Sequence, residues 1–186
     1  MRIFFSVSIE MTGEMEALLR RLAGMGRGIR AVREEKLHLT LKFLGEVKAD
    51  FVPLLEGILD EVVSRHPCFD LILEGMGVFP NERQPRIVWV GVKENAALNA
   101  LVDDLQTACQ GPGFERDQYG FNPHITVARC QAHHSREMKA LIEEYESTVF
   151  ATQRVSTVQL TQSMLEEQPV RYRMMREGAL KGREES

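Results

Sequence analysis

The chain has 186 residues, 44% of them hydrophobic, and a formal net charge of −4. That size suits one compact domain, or two small lobes sharing a core. The acidic balance argues against broad binding to a nucleic-acid duplex, which needs a basic face, yet leaves room for one terminal phosphate in a locally basic cleft.

Strands and helices alternate along the chain. The opening MRIFFSVSIE is too short and too soon acidic for a signal peptide, and no apolar run approaches the length of a membrane helix. Residues 2–9 read as a buried strand, and 12–25 as an amphipathic helix with Met15, Leu18, Leu19 and Leu22 at helical spacing. A strand is expected at 37–44, then a helix across 49–65 with Val52, Leu55, Leu59 and Val62 on one side. Strands at 69–78 and 86–93 flank the loop GVFPNERQPR, whose two prolines and polar residues favour turns. A helix over 95–110 carries Leu98, Leu101, Val102 and Leu105 and stops at Gly111-Pro112-Gly113. A strand at 123–129, a helix at 135–147 and strands near 149–164 and 170–176 complete the pattern, with a frayed tail from Lys181 to Ser186. Cys68, Cys109 and Cys130 are odd in number and widely spaced. They fit neither a disulfide framework nor a Cys-x-x-Cys metal site, and a reduced cytoplasm is the expected home.

Two segments repeat one pattern. LHLTLKFLGEV places His38 two residues before Thr40, and PHITVARC places His124 two before Thr126. Leu37, Leu39 and Leu41 alternate with the first pair, and Ile125 and Val127 with the second. Period two is that of a β-strand, so each His and Thr share one face while the aliphatics enter the core. The histidines are 124 − 38 = 86 residues apart, close to half the chain. A strand and helix surround each copy, which suggests two halves related by an approximate internal two-fold, with the His-x-Thr strands side by side in a groove. Two imidazoles and two hydroxyls in one cavity are a kit for cleaving a phosphodiester without metal.

A single His-x-Thr would read as a solvated strand face; two copies with matching aliphatics are harder to dismiss. His66 precedes Pro67 at a helix end and reads as a cap or turn residue, and His133 and His134 sit in a polar turn. Adjacent histidines do not share a metal-binding face, and zinc needs more ligands at better spacing, so no metal or cofactor is expected. The methionines read as core filling.

HLTLKFLGEV and FNPHITVAR resemble the paired signatures of the two-histidine phosphoesterase superfamily, and within it the RNA 2′,3′-cyclic phosphodiesterase (2′-5′ RNA ligase-like) family. RIFFSVSI, GVFPNERQPRIVWVGV and LTQSMLEEQPVRYRMM resemble that family's first strand, central loop and strand, and final hairpin, so the resemblance covers residues 1 to about 176. The chain departs from the pattern at Ala31-Val32, where the family often has Trp-Val, and at Glu167-Gln168-Pro169-Val170, where a glycine is missing. The resemblance implies an α+β bilobal domain over residues 1–180. Two antiparallel β-sheets would form a central cleft, with helices outside. It implies hydrolysis of RNA 2′,3′-cyclic phosphate ends to 2′-phosphates by a monomer, on substrates such as tRNA fragments. Small cyclic nucleotides as substrates, a 2′-5′ ligation side activity and a non-catalytic nucleotide-binding module are the alternatives.

By the same resemblance His38 is the proton donor to the leaving O3′ and His124 the acceptor from water; the two motifs are too alike for the sequence to order them. Thr40 and Thr126 would donate to the non-bridging oxygens. Arg129 would grip the phosphate and Phe43 stack on the terminal base. Both stand five positions after a histidine, which strict alternation puts on the opposite face. The strand must end, twist or bulge for them to reach the cleft; otherwise Phe43 is a core aromatic. Lys42 shares the face of His38 by alternation and would add positive charge, and Tyr172 would line the cleft from the last hairpin. Arg83, Arg86 and Arg116 fall in loops, as RNA contacts or solvated surface.

Overall fold

The computed structural model of the chain describes residues 1–131, 135–164 and 170–182. His133 and His134, most of the Glu167–Val170 departure, and residues 183–186 of the expected tail lie outside the described residues. Among the described residues, nine strands and four α-helices follow in the order β1 (Arg2–Ser8), α1 (Gly13–Gly24), β2 (Ile29–Ala31), β3 (His38–Glu46), α2 (Val52–Val63), β4 (Phe69–Phe79), β5 (Ile87–Val92), α3 (Ala96–Gln110), β6 (His124–Cys130), α4 (Ser135–Glu144), β7 (Val149–Val155), β8 (Thr157–Met164) and β9 (Arg171–Ala179).

Each helix forms for a local reason and then buries its apolar stripe. Thr12 caps α1 by accepting from the Met15 amide, and Met15, Leu18, Leu19 and Leu22 are buried on one side. Asn95 caps α3 in the same way through the Leu98 amide. The helix expected across 49–65 begins as a 3₁₀ turn at Ala49–Phe51 and becomes α-helical only from Val52, with proline at its start, where a missing amide costs nothing. Burial of such Leu, Val or Met side chains stabilises by about 1.5–3 kcal/mol each.

Every ladder is antiparallel, in the order β7-β4-β5-β6-β3-β1-β8-β9, with β2 added against β6. The two four-stranded halves are joined by one residue pair, Leu39 opposite Ile125. The expected pair of antiparallel sheets is thus continuous at a single rung, and on either side the halves part to leave a cleft. Helices α2 and α3 pack together, against β8 and β9 and against β3, while α1 and α4 cover β2, β6, β7 and β4. Both histidine strands occupy the inner edge of their half, so the expected two-fold is visible in the strand order itself.

Several boundaries differ from the sequence expectation, among them the end of α4 at Glu144 and of β9 at Ala179. The stretch near 149–164 is two strands in different halves, split at Ser156. The additional strand β2 has three residues, too few for any period to show in the sequence. Lys181 is tied down rather than frayed: its amide donates to the His66 carbonyl at 2.8 Å and its carbonyl accepts from the Cys68 amide at 3.0 Å. Among the described residues no helix is long and apolar enough to cross a membrane.

Candidate active site

The rung that joins the halves sets the geometry. With Leu39 opposite Ile125, the flanking positions bring His38 beside Thr126 and Thr40 beside His124, while Leu37, Leu39, Ile125 and Val127 are buried. The two imidazoles are held alike. His38 Nδ1 donates to the Lys36 carbonyl at 2.7 Å, and His124 Nδ1 donates to the Asn122 carbonyl at 2.9 Å. A carbonyl only accepts, so Nδ1 carries a hydrogen in both rings and Nε2 is left for proton transfer. Phe4 and Tyr172 flank the His38 ring at 5.0 and 5.1 Å, and Phe79 meets His124 edge-on at 5.1 Å.

Burial pushes His38 below the ordinary imidazole range, its bond to the Lys36 carbonyl opposes that, and the charge of nearby His124 pushes it down further.

A cavity of about 670 Å³ opens between the halves. Its walls include His38, Thr40, Thr126, Phe43, Arg129 and Tyr172. His124 is not among its walls, although it shares a strand face with Thr126 and its charge acts on His38. The cavity is also lined by residues the sequence did not single out: Arg2, Phe4, Arg30, Arg33, Lys36 and Ser163. Ala31 and Val32, where the chain departs from the family pattern, lie on the same rim. Only the cleft, and not the sequence, collects these cations; a net charge of −4 conceals a basic pocket.

Two bulges explain how Phe43 and Arg129 reach the cleft. In the β1–β3 ladder Ser6 faces Thr40 and Phe5 faces Lys42, which leaves Leu41 as an extra residue. In the β5–β6 ladder Trp89 faces Thr126 and Val88 faces Ala128, which leaves Val127 extra. An extra residue shifts the strand's phase by one. Phe43, 46% exposed, and the exposed Arg129 therefore return to the histidine face.

The same shift overturns the expectation for Lys42. It is 1% exposed and points away from the cleft. Its Nζ donates to Gln106 Oε1 at 2.7 Å and to the Glu115 carbonyl at 2.8 Å, with Asp117 at 3.8 Å. Simple alternation from His38 failed because of the bulge at Leu41. Arg83, Arg86 and Arg116 do not line the cavity; Arg116 pairs with Asp103 of α3. Among the described residues no group of three His, Cys, Asp or Glu is placed to hold a metal ion.

The family model of the 2′-5′ RNA ligase superfamily matches residues 14–164. An RNA 2′,3′-cyclic phosphodiesterase of Archaeoglobus fulgidus is 35% identical over 167 residues, which span 89% of this chain and 92% of that one. A protein of the same name from Aeropyrum pernix is 32% identical over 172 residues, spanning 90% and 95%. Among solved structures, a Thermus thermophilus protein, TT0787, matches with a TM-score of 0.80 at 26% identity, covering 98% of this chain and 100% of that one. LigT of E. coli complexed with ATP matches with a TM-score of 0.66 at 26% identity, covering 96% and 97%.

Proposed function

The chain belongs to the 2′-5′ RNA ligase superfamily, and on that premise we propose that it hydrolyses RNA 2′,3′-cyclic phosphate ends to 2′-phosphomonoesters, by proton transfer between two histidines and without a metal ion. The activity is the one in the names of the Archaeoglobus fulgidus and Aeropyrum pernix relatives. The observation that carries the mechanism is the matched pair of Nδ1 bonds to Lys36 and Asn122, which leaves both Nε2 atoms free on the two inner strands.

Water attacks phosphorus in line with the departing O3′. His124 takes the water's proton and His38 gives one to O3′, each transfer contributing about 10²–10⁴-fold. Thr40 and Thr126 donate to the non-bridging oxygens as charge builds there. Arg129 holds the phosphate with a forked, permanently charged donor, and Phe43 stacks on the terminal base whatever its identity. Tyr172 keeps the His38 ring in place from β9. Burial by itself favours the neutral His38 ring, so the donor's role needs the anionic substrate in the cleft to keep the imidazolium protonated until transfer.

Residues 1–180 would act as one bilobal domain and a monomer on RNA ends such as tRNA fragments. The free thiols Cys68, Cys109 and Cys130 fit a reducing cytoplasm. The test is a short oligonucleotide with a cyclic end, incubated with the pure protein in excess chelator. A 2′-phosphate product is expected. A 3′-phosphate would refute the leaving oxygen, and no product would refute the activity.

A further inference from the structure

Arg30 and Arg129 face each other across the β2–β6 pair, and both line the cavity that holds His38, Thr40 and Thr126. Like charges directly opposite on adjacent strands destabilise a sheet. Among the described residues neither guanidinium has a hydrogen bond or ion pair to offset that cost. Arg33 and Lys36 extend the basic edge along the same wall. The carboxylate near Arg33 is Glu35, 4.0 Å away with both side chains exposed, a contact worth little.

The strand geometry says where this charge lies relative to the chemistry. Along one edge of β6, β3 pairs at Ile125, the Val32 amide then donates to the Val127 carbonyl at 2.8 Å, and β2 pairs from Ala128 to Cys130. Arg30 therefore stands beyond Thr126, on the side away from His124. Arg129 suffices for the one charge of a cyclic phosphate, so a second unpaired cation beside it calls for a second anion. In RNA the next anion is the phosphodiester one nucleotide upstream.

We infer that Arg30, supported by Arg33, forms a second anion subsite that takes the phosphodiester immediately 5′ of the cyclic end, so that the substrate is an oligonucleotide rather than a cyclic mononucleotide. This rests on the hydrolytic reading above and names its substrate.

Binding, rather than turnover, separates the two. Calorimetry would compare a nucleoside 2′-phosphate, a dinucleotide ending in 2′-phosphate, and the same dinucleotide with an uncharged methylphosphonate link. The intact protein should favour the phosphodiester over the methylphosphonate dinucleotide by about tenfold, the scale of one charge-assisted contact. Arg30→Gln should remove most of that preference and lower the slope of log affinity against log salt by about 0.7, the share of one single-strand phosphate. Arg33→Gln should narrow the gap less. The inference fails if the charged and uncharged links bind alike, or if Arg30→Gln weakens the nucleoside 2′-phosphate as much as the dinucleotide. The second result would put Arg30 on the terminal phosphate. A charge-dependent gap without any hydrolysis would sink the proposed activity and uphold the subsite.

Discussion

Leu41 and Val127 hold equivalent places in β3 and β6: each is the extra residue of a bulge three positions beyond its histidine. Each bulge buries two neighbours in succession, Leu41 with Lys42 and Val127 with Ala128, and returns the next side chain to the cleft. The returned residues differ, Phe43 from one half and Arg129 from the other, so a nearly symmetric frame presents an aromatic face to one side of a substrate and a cation to the other.

Replacing those two residues should have separable effects. Phe43→Ala removes a stacking surface worth about 1–3 kcal/mol per base. KM should rise by about tenfold or more, equally for substrates ending in each of the four bases. Arg129→Gln should raise KM and also lower kcat, because it loses charge where the transition state gains it. Steady-state kinetics on a base-varied panel reads both; a Phe43→Ala penalty confined to one base would rule out plain stacking.

The proton roles of the histidines can be told apart by the leaving group. A general acid matters least when the leaving group needs no proton, whereas the base is needed for any attack by water. On an activated aryl phosphodiester, His38→Ala should recover most of its lost activity and His124→Ala should not. The reverse pattern would exchange the assignments, and loss of both would mean that His38 does more than protonate.

The titration of His38 has a definite sign. Burial lowers it most, the Lys36 carbonyl opposes, and His124 lowers it further, so its midpoint lies below 6.5. Between that midpoint and 6.5 the folded protein binds fewer protons than the unfolded chain. The stability His38 contributes is therefore present above pH 6.5 and lost as pH falls through the folded midpoint. Proton NMR of the ring should show this midpoint, and His124→Gln should move it up but not past 6.5, since burial remains. A midpoint above 6.5 would contradict the environment described. With His38 as acid, kcat/KM should already be declining with rising pH below 6.5.

Much of this was legible in the sequence because period two is a strong signal in a half-buried strand. The alternation through Leu37, Leu39 and Ile125 put both His-x-Thr pairs on one face. The bulges were written more faintly. In β6 the adjacent apolar residues Val127-Ala128 break the alternation and could have been read as a phase shift. In β3 the matching position is Lys42, whose charge disguised a buried site. The basic rim was not legible either, since Arg2, Arg30, Arg33 and Lys36 are gathered by strand pairing between distant segments and by no local motif.

Gly77 offers a test of how His124 is supported. It lies opposite Trp89, and a Cβ added to it would stand 2.2 Å from the indole. Trp89 in turn packs on Phe79 at 5.3 Å, and Phe79 on His124 at 5.1 Å. Gly77→Ala must displace the indole, at about 1–3 kcal/mol. Trp89 is the chain's one tryptophan, so its fluorescence reports the shift directly. Emission should change and kcat should fall more than KM rises; unchanged emission with full kcat would show that the aromatic stack does not hold His124.

Lys42 separates packing from substrate contact. Its ammonium satisfies Gln106 Oε1 and the Glu115 carbonyl, and Gln106 Nε2 donates to Asp117 at 2.5 Å. This cluster ties the strand of His38 to the segment that leads from α3 toward His124. Asp117 is 41% exposed, so the ion pair itself adds little. The larger cost of Lys42→Met is the loss of its two hydrogen bonds: the part-buried Glu115 carbonyl loses this donor and Gln106 Oε1 keeps only the Asp117 amide at 3.3 Å, together about 1–3 kcal/mol before any rearrangement. Denaturant unfolding should show that loss, and the fraction that remains folded should keep its KM for the cyclic end. A raised KM at unchanged stability would return Lys42 to the cleft and contradict the bulge at Leu41.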